Sequence, residues 1–304
     1  MVNSYNRDFK WVEEHNGILK RGLSGKADVF FHYLDFKRLS KEQAERNVEA
    51  VKIILAEQKP EVVVLTDDYA LKSLGQFLVD RDIPVVFLGI NGNARGYVDN
   101  VRKITGVLER PLVKRSILYL KEIIGPEMDK CLVLMDDSLS SRVFVEENMR
   151  GKLSFDVSGV HTDIKLIKSF EDWKDAVKAV PSEGYPCIVL GLYHIFRDEH
   201  GRHIPSDEVL AWTSKFSSVP VFGLWSFSVG KGKAVGGYVL SGVDQGREAL
   251  KIVKTILAGE KTENIPPVIG RNGRLLFSAP EMKRWKIKLP DTITSKGYLV
   301  RVIR

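Results

Sequence analysis

Short apolar, β-branched runs alternate with longer amphipathic segments along the whole chain, and this alternation restricts the fold more than any other feature. The runs fall at 28–33, 62–66, 85–90, 104–108, 131–135, 155–160, 187–193, 221–225 and 235–240. Several of them (VVVL, PVVFLGI, CIVLGL) are apolar at both parities. A strand reads that way when both of its faces are covered. The intervening segments carry helix signals. Ser40 with Gln43 forms a capping box ahead of Ala44, Val48, Val51 and Leu55 at helical spacing. The helix at 112–124 meets Gly125-Pro126, and the one at 246–257 runs to Gly259. Strand–helix alternation with short turns predicts βαβ units and parallel sheets.

The chain has 304 residues, and domains of roughly 100–200 residues make two lobes the natural division. The stretch Leu108-Glu109-Arg110-Pro111 follows a complete set of βα units, and a new series starts at Cys131. Two Rossmann-like lobes therefore fit better than one wide sheet. With 44% hydrophobic residues the chain is not disordered, and no apolar run approaches the roughly 18 residues of a membrane helix. Lys and Arg number 46 against 39 acidic residues, a net charge of +7. The basic residues lie beside acids, as in Lys41-Glu42, which describes a solvated surface and predicts no nucleic-acid partner. Cys131 and Cys187 sit in apolar strand-like runs and read as small core residues, with a disulfide as the less favoured alternative. After Met1, VNSYNRDFKW has no signal-peptide core. Either the protein is cytoplasmic or a leader or anchor lies outside this sequence. The second is favoured, because Val2-Asn3 read as the end of a longer strand.

In open parallel sheets ligands bind beyond the carboxyl ends of strands, where helix N-termini point their N–H groups outward. Those positions hold Ser4, Tyr5 and Trp11, then Thr66, Asp67 and Asp68, then Gly89 and Asn91. In the second half they hold Asp136, Asp137 and Ser138, then Tyr193 and His194, then Trp225 with Ser226 and Phe227. Aromatic faces mixed with short polar groups suit a small polar molecule with a flat apolar part. Asp67, Asp68, Asp137 and Ser138 read equally well as helix caps, and Trp11 as a core anchor. Trp225 reads as outward-facing, since SFSVGKGK beyond it has the composition of a loop.

Catalytic patterns are not met. Residues 230–237 have the composition of a phosphate loop but lack its Gly-Lys-Ser/Thr ending and precede a strand. The glycine-rich stretch 89–96 lacks dinucleotide spacing. His194, His200 and His203 with Asp198 and Glu199 lack metal-ligand spacing, and there is no Gly-x-Ser-x-Gly elbow. A binding protein without metal or cofactor is the expectation, rather than an enzyme.

An ordered set of segments resembles one family. These are Asn3-Ser4-Tyr5 with Trp11, Leu65-Thr66-Asp67-Asp68, Pro84–Phe87 with Gly89-Ile90-Asn91, and Ile104-Thr105-Gly106-Val107. Pro220-Val221-Phe222-Gly223, Gly236-Gly237, Gln245-Gly246, Leu257-Ala258-Gly259-Glu260-Lys261 and Ile265-Pro266 complete the set. Over residues 3–290 the chain is similar to ABC-transporter substrate-binding proteins of the type I periplasmic-binding fold. Similar members also serve as extracytoplasmic sensor regions of histidine kinases or diguanylate cyclases. The segments Gly191-Leu192-Tyr193-His194 and Trp212-Thr213 resemble that branch more closely. Some members bind aromatic amino acids.

The resemblance implies a bilobal α/β protein with a ligand cleft between lobes that closes by hinge rotation. Its lobes are placed at 1–109 plus 241–261 and at 110–240 plus 262–304. It implies a periplasmic or cell-surface location, a small aromatic or amino-acid-like ligand, and a membrane permease or fused signalling module as partner. There is no direct membrane insertion of this chain. Trp11 and Trp225 would supply flat faces, Thr66, Asn91 and Ser138 hydrogen bonds, and Asp67 or Asp137 a seat for an ammonium. A cytoplasmic effector-binding regulator shares the fold and stays open as an alternative.

Overall fold

Strand and helix alternate from the first residues of the computed structural model, which describes residues 1–110, 112–270, 273–295 and 300–303. The opening series is β1 (Val2–Asn3), α1 (Lys10–Leu23), β2 (His32–Tyr33), α2 (Lys41–Gln58), β3 (Val63–Thr66), α3 (Asp67–Val79), β4 (Val85–Ile90) and β5 (Ile104–Leu108). Next come α4 (Val113–Ile124), β6 (Lys130–Asp136), α5 (Leu139–Met149), β7 (Ser154–Val157), β8 (Val160–Ile167), α6 (Phe170–Ala179) and β9 (Ile188–Leu190). The chain continues through α7 (Ser206–Phe216), β10 (Val221–Gly223), β11 (Gly236–Val239), α8 (Gly242–Leu257) and β12 (Val268–Ile269). It ends with β13 (Arg274–Ser278), α9 (Ala279–Arg284), α10 (Asp291–Thr294) and β14 (Val300–Ile303). The chain divides into two units, unit 1 of residues 1–110 with 241–271 and unit 2 of 111–240 with 272–304.

Unit 1 is built on one six-stranded sheet, ordered β12-β5-β4-β3-β1-β2 and parallel throughout. The both-parity pattern of its strands has a direct cause. Val63, Leu65, Val85 and Phe87 point to one face, where Val48, Val51 and Leu55 of α2 and Leu71, Leu74 and Leu78 of α3 cover them. Val64, Val86, Leu88 and Val107 point to the other, against Leu19 and Leu23 of α1 and Ala249, Ile252 and Val253 of α8. Side chains alternate across a strand with period two, so both faces stay dry only if both parities are apolar. α1 and α8 approach closely because Gly246 has no side chain; a Cβ there would lie 2.9 Å from Cα of His15. His15 itself is fully buried, and burial pushes its pKa down to about 3, so it packs as a neutral ring. The capping box is present, with Ser40 Oγ accepting from Gln43 N and Gln43 Oε1 accepting from Ser40 N.

Unit 2 holds a five-stranded sheet, β10-β9-β6-β8-β7, and a three-stranded sheet, β11-β13-β14. The core on one face of the larger sheet joins Leu132, Leu134, Ile188 and Leu190 to Trp173, Val177, Phe196 and Leu210. The Trp173 indole is buried at no polar cost: its Nε1 donates to Thr213 Oγ1 at 2.8 Å, and that hydroxyl donates to Val209 O at 2.7 Å.

Three of the expected runs differ in detail. The run at 155–160 is a hairpin, not one strand, because Ser158 (φ 49°) and Gly159 (φ 75°) form a two-residue turn that sets β7 antiparallel to β8. Of 28–33, only His32 and Tyr33 pair in the sheet. The run at 235–240 leaves the parallel series and pairs antiparallel with β13. Trp225 is followed by a short 3-10 turn at Ser226–Ser228 and not by open loop. Among the described residues no helix is long and apolar enough to cross a membrane.

Candidate functional site

The carboxyl end of the unit 1 sheet gathers an unusual density of buried polar groups. β3 passes into α3 at a single peptide, with Thr66 the cap and Asp67 the first helical residue. Asp67 adopts φ 61°, a left-handed conformation that costs most side chains on the order of 1 kcal/mol and that Asp and Asn tolerate best. Its carboxylate is buried, and Oδ2 meets no hydrogen-bond donor among the described residues. Burial first, then the nearby charges of Glu109 and Asp68, push its pKa well above the usual carboxylate range, while Lys37 and Thr66 pull the other way.

Asp68, one residue on, has a different job. It accepts from Asn91 N at 3.1 Å, Gly92 N at 2.8 Å and the Tyr97 hydroxyl at 3.1 Å, so it fastens the loop after β4 to α3. Burial raises its pKa, and those three bonds lower it in part. Asn91 donates through Nδ2 to Glu109 Oε2 at 2.8 Å, and its Oδ1 has no donor among the described residues. Trp11, near the start of α1, is 2% exposed, and its Nε1 has no acceptor among the described residues. Gly89 lies between Asp67 and Trp11. A Cβ at Gly89 would stand 3.0 Å from Asp67 Oδ1 and 3.4 Å from Trp11 Cζ2, in a backbone with φ 70° that favours glycine. The indole edge and the Asp67 carboxylate therefore converge over a residue with no side chain.

The other expected unit 1 residues support this corner. Ser4 Oγ donates to Thr66 O at 2.5 Å and accepts from Ala70 N at 2.8 Å, which ties β1 to the start of α3. Thr66 Oγ1 donates to Asn3 Oδ1 at 3.4 Å. Tyr5 is buried among Phe9 and Phe36, with Lys37 Nζ 3.8 Å above its ring. Lys37 and Glu109 are additions that residue reading did not single out. Glu109 directly follows β5, so the strand-end rule finds it once that strand is counted with the others. Lys37 sits outside any strand end and carries no such signal.

In unit 2 the same end of the sheet is more self-satisfied. Asp136 is fully buried and accepts from Ser141 Oγ at 2.9 Å and from His194 N at 2.6 Å. Ser138 caps α5, accepting from Ser141 N at 3.3 Å. Asp137 is held by Arg142 at 2.6 and 2.7 Å, and that guanidinium lowers its pKa. Tyr193 bonds Ser228 through its hydroxyl at 3.1 Å and stacks on His194 at 4.5 Å between ring centres. Trp225 is 3% exposed and lies parallel to Phe227, 6.1 Å between centres and 14° between planes. Ser226 Oγ and Ser278 Oγ have no partner among the described residues. The structure thus groups Ser4, Tyr5, Trp11, Thr66, Asp67, Asp68 and Asn91 in one unit, and Asp137, Ser138, Tyr193, His194 and Trp225 in the other.

A cavity of about 410 Å³ opens elsewhere in unit 1. Leu19, Leu23, Val62, Val64, Val253 and Leu257 line it, at the amino end of β3 and away from Asp67. Among the described residues no group of His, Cys, Asp and Glu side chains is arranged to hold a metal ion.

Residues 26–300 match the family described as ABC transporter substrate binding protein. The chain belongs to that family. No curated protein sequence matches it. Among solved structures this substrate-binding protein is similar to an ABC domain from Streptococcus pneumonia in complex with L-Trp. The two share 16% identity over 99% of each chain with a TM-score of 0.70. A conserved domain protein from Vibrio cholerae shares 14% identity over 100% of this chain and 98% of that one, TM-score 0.67. The ligand-free, open structure of a substrate-binding protein with adhesive properties from Clostridium difficile shares 13% identity over 100% and 97%, TM-score 0.67. At these identities the likeness establishes the fold, the two-lobed type I periplasmic-binding architecture. Family membership brings a small-molecule ligand and a permease partner, a binding role and a typically extracytoplasmic setting.

Proposed function

We propose that this protein captures a small amino-acid-like ligand, by its ammonium group and a flat aromatic part, for an ABC importer at the outer face of the membrane. One observation carries the reading: buried Asp67 and the edge of the Trp11 ring both face Gly89, and Asp67 Oδ2, Trp11 Nε1 and Asn91 Oδ1 have no partner among the described residues. Two acceptors and an indole edge suit a ligand that brings a cation with several N–H donors and a ring. A buried carboxylate oxygen without a donor is costly, and a ligand ammonium offsets that cost. The complex of the Streptococcus pneumonia domain with L-Trp agrees with this ligand class. In unit 2, Ser138, Tyr193, His194 and Trp225 are the proposed ligand contacts. Asp137 is engaged by Arg142, so the ammonium is assigned to Asp67.

A thermal-shift series of amino acids, their N-acetyl derivatives, sugars and nucleosides tests the reading. Aromatic amino acids with a free ammonium should stabilise the protein, by about 2.7 kcal/mol at 100 times the dissociation constant. N-acetylation should abolish the shift. Sugars or nucleosides as the sole hits, or turnover of the best hit, would overturn it.

Capture is proposed to proceed by hinge closure, because the chain passes between its two units three times, after residues 110, 240 and 271. Small-angle scattering should give a smaller radius of gyration at saturating ligand. An unchanged radius with binding confirmed by calorimetry would count against closure.

A further inference from the structure

We propose that Cys131 and Cys187 are joined by a disulfide when the chain folds in an oxidising compartment, a covalent tie between two neighbouring strands of unit 2. The setting rests on the extracytoplasmic reading above; the pairing rests on geometry alone. β6 runs parallel to β9 with Leu132 opposite Ile188 and Val133 opposite Val189. One step back in that register sets Cys131 opposite Cys187. Adjacent strands lie about 4.8 Å apart, inside the roughly 4.4–6.8 Å that disulfides span between Cα atoms. The two Sγ atoms are 4.0 Å apart, and both residues are wholly buried. Closing the bond brings the two sulfurs from 4.0 Å to about 2.05 Å.

Burial also says when the bond forms. The neighbouring thiol and burial raise the Cys131 pKa, which disfavours its thiolate, the reactive form, once the protein is folded. Oxidation therefore belongs to the folding path, before the strands seal. There a thiolate of one cysteine attacks a small disulfide oxidant such as oxidised glutathione, and one glutathione thiolate leaves. The second cysteine then attacks the protein sulfur of the mixed disulfide, and the second glutathione leaves. Two protein S–H bonds and the oxidant's S–S bond are broken. One protein S–S bond and two glutathione S–H bonds form, and two electrons pass to the oxidant. The cysteines are 56 positions apart in sequence, so the bond closes a long loop that contains β7, β8 and α6. Long loops are where a cross-link restricts the unfolded chain most.

The test refolds the full chain in a glutathione buffer poised at about −180 mV, then dissolves it in guanidinium chloride with N-ethylmaleimide for intact-mass measurement. The expected result is no maleimide adduct and a mass two hydrogens below the dithiol. Two adducts should appear after dithiothreitol, and Cys187→Ser should show Cys131 free or capped by glutathione, with no mass loss of two hydrogens. The oxidised chain should melt several degrees above the reduced one, about 5–10 °C for a lobe of this size. Two adducts on the unreduced wild type, with a native circular-dichroism spectrum before denaturation, would overturn the bond. The buffer sets the potential, so this result does not depend on where the chain resides. Free thiols in the protein recovered directly from cells, with the refolded sample bonded, would instead count against the extracytoplasmic reading.

Discussion

Asp67→Asn is expected to weaken binding of an aromatic amino acid by about 2–5 kcal/mol, the range for truncating one member of a buried charge pair. The same change should leave the unliganded fold as stable as before or more so. Asn is the informative substitution, because it tolerates φ 61° where Ala adds backbone strain. It also keeps the shape of a side chain that occupies a buried corner. The sign of the stability effect follows from proton linkage. Asp67 has a folded pKa raised above its unfolded value, by burial and by Glu109 and Asp68, with Lys37 opposing. Between those two values the native state keeps a proton that the unfolded state has lost, so stability falls as pH rises through the window. An amide removes that penalty. Ligand affinity runs the other way, because an ammonium pairs with the carboxylate and not with the acid. In wild type it should strengthen as pH rises through the same window, and Asp67→Asn should flatten the profile. Calorimetric titration across pH, beside urea unfolding, reads both. Wild-type affinity in the variant would remove Asp67 from the ligand site.

Much of this architecture is legible in the sequence because its cause is local. Two-faced strands such as 63–66 and 85–90 need apolar residues at both parities, and runs this short and rich in β-branched residues suit a strand covered on both sides better than a buried helix. The capping box at Ser40 and the stop at Gly125 are written in four residues or fewer. The hairpin at 158–159 was legible in principle, since Ser-Gly flanked by valines is a turn signal, but the continuous apolar run around it masks the break. The antiparallel placement of β11 was not, because its partner β13 lies about 40 residues on and no local pattern names it. The same limit applies at the site. Strand-end position picks out Asp67 and Asp68 together. Which carboxylate stays free depends on Asn91, Gly92 and Tyr97, more than 20 residues away, all of which bond to Asp68. The sulfur pair is a further case: two apolar runs each conceal one cysteine, and only the strand order β9-β6 makes them neighbours.

Trp225→Ala is expected to lower the stability of the unliganded protein by about 3–5 kcal/mol, the cost of emptying a buried aromatic site. The residue ends an apolar strand and precedes a polar, glycine-rich stretch, which by itself reads as a ring turned outward. In the fold that stretch turns back: Ser226–Ser228 forms a 3-10 turn, Phe227 lies parallel to the indole, and the backbone at Trp225 bridges Leu240. At 3% exposure the ring has lost nearly all contact with solvent, and its removal leaves a cavity beside Phe227. The proposed ligand contact adds a second, separable effect. The folded fraction of Trp225→Ala should bind about ten-fold or more weakly, as for the loss of about 1.5–3 kcal/mol of buried aromatic contact. Trp225→Phe should recover most of the stability and part of the affinity, since it keeps a disc against Phe227 while giving up the indole. Urea unfolding and calorimetric titration on the same samples separate the two effects. If the variant unfolds like wild type, the ring does not hold unit 2 together as its burial implies. If the fold weakens while the surviving protein binds unchanged, Trp225 belongs to the core, and the flat contact for a ligand falls to Trp11, whose ring edge faces Gly89 together with the Asp67 carboxylate.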